Sequence, residues 1–152
     1  MDLLIQKLRQ DFPDITLVPG SQASWAPESQ IVTYSLDTED GPWTLLHEFG
    51  HALLGHTTYH SDVNLVQKEA AAWEKALRLG ERYAISIADA HIQECLDTYR
   101  DWLHKRSKCP RCDNHGLQTS QSLYSCTNCQ TTWKVSSARF CRPYRLKTSL
   151  AA

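Results

Sequence analysis

The stretch Trp43–His56 reads WTLLHEFGHALLGH, and residues 47–51 at its centre form an HExxH motif. On an α-helix the residues i and i+4 lie on one face, so His47 and His51 can offer two imidazole nitrogens to one metal ion. Glu48 lies about 100° further round the helix, within reach of a water molecule on that metal. Zinc lowers the pKa of a bound water towards about 7, and a neighbouring carboxylate can then accept its proton. The motif indicates amide-bond hydrolysis, with Glu48 as general base.

The residues around the motif favour a buried site. Asp40 is a candidate N-cap, Pro42 suits the first helical turn and Gly55 suits the C-terminal stop. The alternative is a helix with two surface histidines and a glutamate that has found another partner. Burying these polar groups among apolar side chains would be costly unless they bound something. The apolar neighbours are Trp43, Leu45, Leu46, Phe49, Ala52, Leu53 and Leu54.

The composition is typical of a globular protein, with 41% hydrophobic and 22% charged residues. No apolar run approaches the roughly 20 residues that a membrane span needs. The N-terminus carries charges throughout and lacks the pattern of a signal peptide. These observations predict a soluble cytoplasmic protein that has no membrane partner.

The net charge of −1 hides a division of the chain. Residues 1–104 carry 7 Lys and Arg against 16 Asp and Glu, a net charge of −9. Residues 105–152 carry 9 Lys and Arg against one Asp, a net charge of +8. Such asymmetry suggests two parts with different partners. We therefore predict a metallopeptidase-like domain over residues 1–104 and a basic module over residues 105–152.

The hydrophobic pattern of the first part predicts an α+β fold. A short sheet is expected to precede the motif helix, and two long helices are expected to follow it. Gly80 is predicted to end the first of these two helices. The expected helices cover residues 2–11, 61 or 62 to 79, and about 87–104, and the expected strands cover residues 15–18, 22–25 and 31–36.

A catalytic zinc usually has three protein ligands and an open position for water. On a helical projection of residues 61–79, Glu69 lies inside the apolar arc and Glu74 lies at its edge. A carboxylate in the middle of an apolar face needs a partner, and a zinc ion on the preceding helix would supply one. The apolar arc contains Val63, Leu65, Val66, Ala70, Ala72, Trp73, Ala76, Leu77 and Leu79.

Glu69 has competitors as the third ligand, and it could instead pair with a basic residue or reach water. His56 falls just past the end of the motif helix. His60 lies too far along for the HExxHxxGxxH arrangement, whose third His comes six residues after the second. Tyr59 and His60 are candidates for stabilising the oxyanion or for packing around the metal ligands.

Residues 31–56, IVTYSLDTEDGPWTLLHEFGHALLGH, resemble the ImmA/IrrE-like metallopeptidases. In that family a β-strand leads into a TLxHELGHxLLGH helix, and the next helix carries an EANxFA pattern whose Glu binds zinc. Residues 69–74, EAAAWE, are similar, with Trp73 at the Phe position. They depart from the pattern at Ala71, where Asn is usual, and at Glu74, where Ala is usual. The resemblance covers about residues 31–80.

The resemblance implies a minimal gluzincin fold, in which a small mixed or antiparallel sheet packs on the HExxH helix and the glutamate helix. It also implies that His47, His51 and Glu69 bind the catalytic zinc. In this family the substrates are regulatory proteins. We therefore expect an intracellular zinc endopeptidase that cleaves a protein substrate by attack of zinc-bound water. The strand at residues 31–36 is expected to be a sheet edge that binds substrate by β-augmentation.

Two CxxC units separated by thirteen residues characterise the basic module. In a cytoplasmic chain such pairs bind metal rather than form disulfides, and four thiolates make a closed structural zinc site. The segment has too few apolar residues to fold without the metal. A zinc ribbon is therefore predicted, which makes two zinc ions per chain. Its ligands would be Cys109, Cys112, Cys126 and Cys129, whereas Cys95 is expected in a helix core and Cys141 outside the ribbon.

The basic charge of the module would favour DNA or an acidic protein partner. Phe140 and Tyr144 could stack on bases. The alternatives are an exposed solvated surface or docking on the acidic first part of the chain. The candidate nucleic-acid contacts are Arg139, Arg142, Arg145 and Lys147, with Lys105, Arg106, Lys108, Arg111 and Lys134 nearby in the sequence.

Two other functions stay open. SprT-like proteases are similar in architecture, because they also join an HExxH domain to a C-terminal zinc ribbon and act near DNA. Their third ligand is a His beyond the motif helix, and this chain has no His at the usual place. The other alternative is a DNA-binding regulator that uses a metalloprotease-like scaffold without turnover.

Overall fold

A computed structural model describes residues 1–136 and, for the backbone alone, residues 145–147. The predicted α+β class is confirmed. None of the described helices combines the length and the hydropathy that crossing a membrane requires. The elements in chain order are α1 (Asp2–Asp11), β1 (Thr16–Pro19), β2 (Ser24–Ala26), β3 (Ile31–Tyr34), α2 (Gly41–Leu53), α3 (Asp62–Tyr83), α4 (Asp89–Ser107), β4 (Gly116–Ser120), β5 (Leu123–Cys126), β6 (Thr132–Val135) and β7 (Arg145–Lys147).

The chain divides into two compact units. The first contains residues 1–58 and 67–92, and the second contains residues 59–66 together with the described residues from 93 onwards. Helices α3 and α4 therefore each contribute residues to both units. The predicted domain boundary between residues 104 and 105 is defined by the change in charge rather than by contacts between residues. It stays a prediction.

The first unit contains a three-stranded mixed sheet with the order β1-β3-β2. Strand β3 pairs in parallel with β1, where Leu17 lies opposite Val32, and antiparallel with β2, where Trp25 lies opposite Val32. The expectation that residues 31–36 form a free sheet edge is therefore wrong. Both sides of β3 are already hydrogen-bonded to neighbours, so the available edges belong to β1 and β2.

Helix α2 packs the motif against the core of the first unit. Asp40 occupies the N-cap position, Pro42 lies in the first turn, and Gly55 adopts a φ of +61° just beyond the helix, as predicted. The buried face contains Leu45, Leu46 and Phe49, which are fully shielded from solvent. Burying each such side chain contributes about 1.5–3 kcal/mol, so packing holds this helix in place. The N-cap differs in one detail, because the Asp40 side chain accepts no capping hydrogen bond.

Helices α2 and α3 approach each other closely at Gly50. A Cβ added at Gly50 would lie 2.4 Å from the backbone carbonyl oxygen of Ala72. Because the obstacle is backbone, no side-chain rotation could relieve it. Glycine at position 50 therefore sets the distance between the two helices, and Ala72 follows Glu69 by about one helical turn.

Helix α3 differs from its prediction in length and in its buried face. It does not end at Gly80 but continues to Tyr83, and Ala84 takes the left-handed conformation with a φ of 57°. Gly80 stays helical because the chain folds back over it, and the N–H of Ile85 donates to the Gly80 carbonyl at 2.8 Å. The apolar arc is also narrower than predicted. Its members at one edge are exposed, namely Val63, Ala70 and Leu77.

In the second unit, β4, β5, β6 and β7 form an antiparallel sheet in chain order. The sequence analysis did not predict β7. Trp133 and Tyr124 stack with their ring centroids 5.6 Å apart, and both are buried. Gly116 is required beside them, because a Cβ there would lie 2.4 Å from an atom of the Trp133 ring. This small core includes cysteines of the CxxC units.

A buried ion pair lies in the same unit. Asp62 and Arg106 are only 1% and 2% exposed, and the Arg106 Nε donates to the Asp62 Oδ2 at 2.6 Å. The Tyr124 hydroxyl donates to the same oxygen at 2.5 Å, and the Gln118 side chain accepts from the Asp62 backbone N–H at 2.7 Å. Arg106 also donates to the Ser136 carbonyl. Arg106 is therefore a structural residue, and counting it in the basic surface was wrong.

Replacing Asp62 with Asn should destabilise the second unit by about 3–5 kcal/mol, because it leaves the buried Arg106 charge without a counter-charge. Amide hydrogen exchange of β5 and β6 would measure the loss. A matched control is Glu74→Gln, which removes an exposed ion pair with Arg78 and should cost no more than about 0.5 kcal/mol. If Asp62→Asn and Glu74→Gln lower the stability by equally small amounts, the Asp62–Arg106 pair is not important for the second unit.

Candidate metal centres

Three side chains of the first unit converge on one point. His47 and His51 come from α2, and Glu69 comes from α3. The Nε2 of His47 lies 3.2 Å from the Nε2 of His51 and 3.2 Å from the Oε2 of Glu69. The third distance, from the His51 Nε2 to the Glu69 Oε2, is 3.5 Å. We call these three residues the His₂Glu cluster.

The spacing of the His₂Glu cluster fits a metal ion. Ligand atoms placed tetrahedrally at about 2.0–2.2 Å from zinc are about 3.3–3.6 Å from one another, close to the three observed distances. Two imidazole nitrogens and one carboxylate oxygen are also a donor set that zinc accepts. Imidazole suits other transition metals as well, so the cluster is a candidate metal site that does not specify the metal.

Helix α3 places Glu69 as the helical projection predicts. Glu69 is 6% exposed, whereas Glu74 is exposed and pairs with Arg78. One helical turn beyond Glu69, the Trp73 ring stacks on the imidazole of His47, with centroids 4.2 Å apart and planes at 28°. The contact at Gly50 and this stacking together fix the position of the carboxylate relative to the two histidines.

The protonation state of Glu69 suits a ligand. Burial raises the pKa of its carboxyl, but hydrogen bonds from His47 and His51 outweigh burial and hold that pKa well below its usual range. Metal binding requires a deprotonated carboxylate. Glu69 is therefore ionised at neutral pH and meets this requirement.

Glu48 lies beside the His₂Glu cluster without belonging to it. Burial raises the pKa of its carboxyl, although the nearby charges of His47 and His51 favour the ionised form. The backbone N–H of Trp25 donates a hydrogen bond to this carboxyl. A carboxylate with a raised pKa is a better proton acceptor, so the environment of Glu48 suits a general base.

His56 lies next to the His₂Glu cluster, although it is not among the three converging residues. Its Nδ1 lies 2.9 Å from the Nδ1 of His51, and its backbone carbonyl accepts a hydrogen bond from the Trp25 indole at 2.8 Å. Burial, and then the nearby charge of His51, lower the pKa of His56 to about 4. His56 was expected to be either a competing ligand or a loop histidine that lies around the ligands or faces the substrate. Trp25 was not predicted, because contacts over 31 residues leave no local pattern.

Tyr59 and His60 lie between α2 and α3, in residues that belong to the second unit. Nothing among the described contacts assigns either of them to the His₂Glu cluster. Their role in oxyanion stabilisation stays a prediction.

A second candidate metal site is formed by the four cysteines of the CxxC units, which we call the four-cysteine cluster. The Sγ atoms of Cys109 and Cys129 lie 3.6 Å apart, and those of Cys112 and Cys126 lie 3.5 Å apart. Thiolates placed tetrahedrally about 2.3 Å from zinc are about 3.8 Å from one another. The cluster is therefore compatible with the predicted zinc ribbon.

The two CxxC turns share one backbone geometry. In the first, the Asp113 N–H donates to the Cys109 carbonyl, and in the second the Gln130 N–H donates to the Cys126 carbonyl. Asp113 and Gln130 have positive φ values of 60° and 59°. Within the turns, the backbone N–H groups of Arg111 and Cys129 point at the sulfurs of Cys109 and Cys126, at 3.4 Å in each case. Two equivalent turns thus present four sulfurs to one centre.

The candidate nucleic-acid contacts are only partly described. Arg139 and Arg142 lie outside the described residues, as do Phe140, Cys141 and Tyr144. Arg145 and Lys147 belong to β7, of which the structure describes the backbone. Contacts of this segment with DNA or with an acidic partner therefore stay predictions.

Comparisons with known proteins found no relative of this chain. No family model, no curated protein and no solved structure matches the chain. The ImmA/IrrE-like assignment expected from residues 31–80 and the gluzincin fold therefore both stay predictions.

Proposed function

We propose that the protein is a zinc-dependent endopeptidase that cleaves a protein substrate, with His47, His51 and Glu69 holding the catalytic ion. The observation that carries the proposal is the near-equilateral arrangement of the three ligand atoms beside the partly buried Glu48. Buried charged groups are costly unless they are paired or coordinate a metal, and these three groups are a donor set that zinc accepts.

The proposed chemistry divides between the metal and Glu48. When bound, zinc would supply Lewis-acid polarisation of the scissile carbonyl and would acidify the attacking water. Glu48 accepts a proton from this water and then delivers it to the leaving amine nitrogen, so that both its protonation states are used. The Trp25 N–H, which donates to the Glu48 carboxyl, holds this group in place during both transfers.

The substrate edge in this proposal is β2, which replaces the strand at residues 31–36. In an antiparallel pair, neighbouring residues alternate between the partner strand and the outer side. Strand β2 pairs with β3 on one side and lies at an edge of the three-stranded sheet, and its Trp25 backbone contacts the Glu48 carboxyl. An extended peptide that pairs with the outer side of β2 would lie beside Glu48.

The four-cysteine cluster has a structural role in this proposal. Four thiolates leave no open position for water or substrate. The zinc it would hold stabilises the fold of β4 to β6, and the basic segment beyond provides a candidate surface for DNA or an acidic partner.

The two alternatives make different predictions about turnover. A SprT-like protease would also hydrolyse peptide bonds but would act near DNA. A DNA-binding regulator without turnover would not need a proton acceptor beside the metal. The partly buried position of Glu48 beside the His₂Glu cluster favours an enzyme over this last alternative.

The test is to count metal ions and to measure hydrolysis in the same samples. The wild-type chain is expected to bind two zinc ions, and Glu69→Ala is expected to bind one and to lose hydrolysis of a peptide library. Glu74→Ala removes an exposed carboxylate from the same helix and should retain both ions and full activity. A wild-type chain that holds no zinc at the His₂Glu cluster, or an active Glu69→Ala variant, would disprove the proposed site.

A further inference from the structure

We propose that His56 is a positioning residue that fixes the tautomer and the ring orientation of His51 by accepting a hydrogen bond from its Nδ1. The inference rests on the proposed function, since it concerns the ligand set of the catalytic ion. It assigns to His56 a role distinct from that of a fourth ligand.

The orientation of His51 determines which of its ring nitrogens carries the proton. Its Nε2 lies 3.2 Å from the His47 Nε2 and 3.5 Å from the Glu69 Oε2, so this nitrogen faces the metal position. A neutral imidazole carries one proton, and a coordinating Nε2 leaves that proton on Nδ1. The Nδ1–H of His51 then points at the Nδ1 of His56, 2.9 Å away. His56 must therefore be the acceptor of this hydrogen bond.

The backbone holds His56 ready for this role. Gly55 turns the chain with a φ of +61°, and the His56 N–H donates back to the His51 carbonyl at 3.0 Å. The carbonyl of His56 accepts from the Trp25 indole N–H at 2.8 Å. Since both its backbone polar groups are engaged, the His56 imidazole is presented to His51 from a fixed position.

The two histidine ligands differ in how their rings are held. The Nδ1 of His47 is buried and finds no hydrogen-bond partner among the described residues. Its ring is held by stacking on Trp73 instead. Hydrogen-bonded partners of metal-binding histidines typically contribute about 10–100-fold in metal affinity. At this site that contribution is assigned to His56 acting on His51.

The experiment uses three variants of the full chain that differ in where they place an acceptor. His56→Ala removes the acceptor, His56→Asn places an amide oxygen near the position of Nδ1, and His56→Gln places it near the position of Nε2. The zinc dissociation constant of the His₂Glu cluster is measured by competition with a chromophoric chelator. Replacing this zinc with cobalt gives an absorption spectrum that reports on ligand geometry.

His56→Ala and His56→Gln are expected to weaken zinc binding about 10–100-fold and to alter the cobalt spectrum. His56→Asn is expected to have a zinc dissociation constant and a cobalt spectrum close to those of the wild type. If the wild type binds two zinc ions, the inference is overturned when His56→Asn weakens zinc binding as much as His56→Ala does. It is also overturned when His56→Ala does not weaken zinc binding. A wild type that binds zinc only at the four-cysteine cluster would overturn the proposed function and this inference together.

Discussion

Glu48→Gln is expected to abolish peptide hydrolysis while both zinc ions stay bound. Glutamine has nearly the same shape and can still accept the hydrogen bond from the Trp25 N–H, but its amide cannot take a proton from water. Loss of a general acid–base group typically costs about 10²–10⁴-fold in rate. Here one group would serve in both proton transfers, so the upper end of this range is expected. The rate of cleavage and the zinc content would be measured on the same preparation.

The matched control for Glu48→Gln is Glu74→Gln, which changes an exposed carboxylate that pairs with Arg78. It should leave the rate of hydrolysis and the zinc content unchanged. If Glu48→Gln keeps wild-type activity, another group must accept the proton and the proposed mechanism is wrong. If it loses activity together with one zinc ion, its effect is on metal binding. An inactive variant that keeps both ions can also capture the substrate for identification by mass spectrometry.

Much of the first unit could be predicted from local sequence patterns. The limits of α2 follow from Asp40, Pro42 and Gly55, each of which acts within one helical turn. The burial of Glu69 follows from the periodicity of α3. These features depend on residues close together in the chain, where physical rules of spacing apply directly.

The features that could not be predicted depend on partners distant in the chain. A run of β-branched residues indicates that residues 31–34 form a strand, but it does not indicate how many strands lie beside it, and β3 proved to be central. Glycine commonly follows the last residue of a helix, but Gly80 lies inside α3, where the Ile85 backbone packs over it. Asp62 and Arg106 lie 44 residues apart, so their buried pair had no signature in either segment.

The same distinction explains the candidate sites. The HExxH and CxxC motifs indicate their candidate metal ligands because the ligand spacing is local. Trp25 and His56, which lie beside the His₂Glu cluster, contact each other and His51 only in the folded chain. The candidate ligands could therefore be predicted from the sequence, whereas these neighbouring contacts could not.

Cys126→Ser is expected to have the largest effect on stability. Cys126 is buried, and its sulfur lies 3.5 Å from that of Cys112 and accepts from the Cys129 N–H. A hydroxyl is a far weaker zinc ligand than a thiolate, so this change should remove the structural ion. Zinc binding in small finger domains contributes about 10–16 kcal/mol of apparent free energy that also drives their folding. The surrounding core is small, so β4 to β6 should lose their order with the metal.

Zinc content and amide hydrogen exchange would measure this effect together. In Cys126→Ser the zinc content should fall from two ions to one, and the amides of β5 and β6 should exchange as in an unfolded chain. Cys95→Ser is the matched control, because Cys95 lies on α4 and outside the four-cysteine cluster. It should keep both ions and the protection of the two strands. Protected strands in a Cys126→Ser variant that has lost its zinc would mean that the core around Trp133 folds by itself, and that the cluster stabilises a fold already formed.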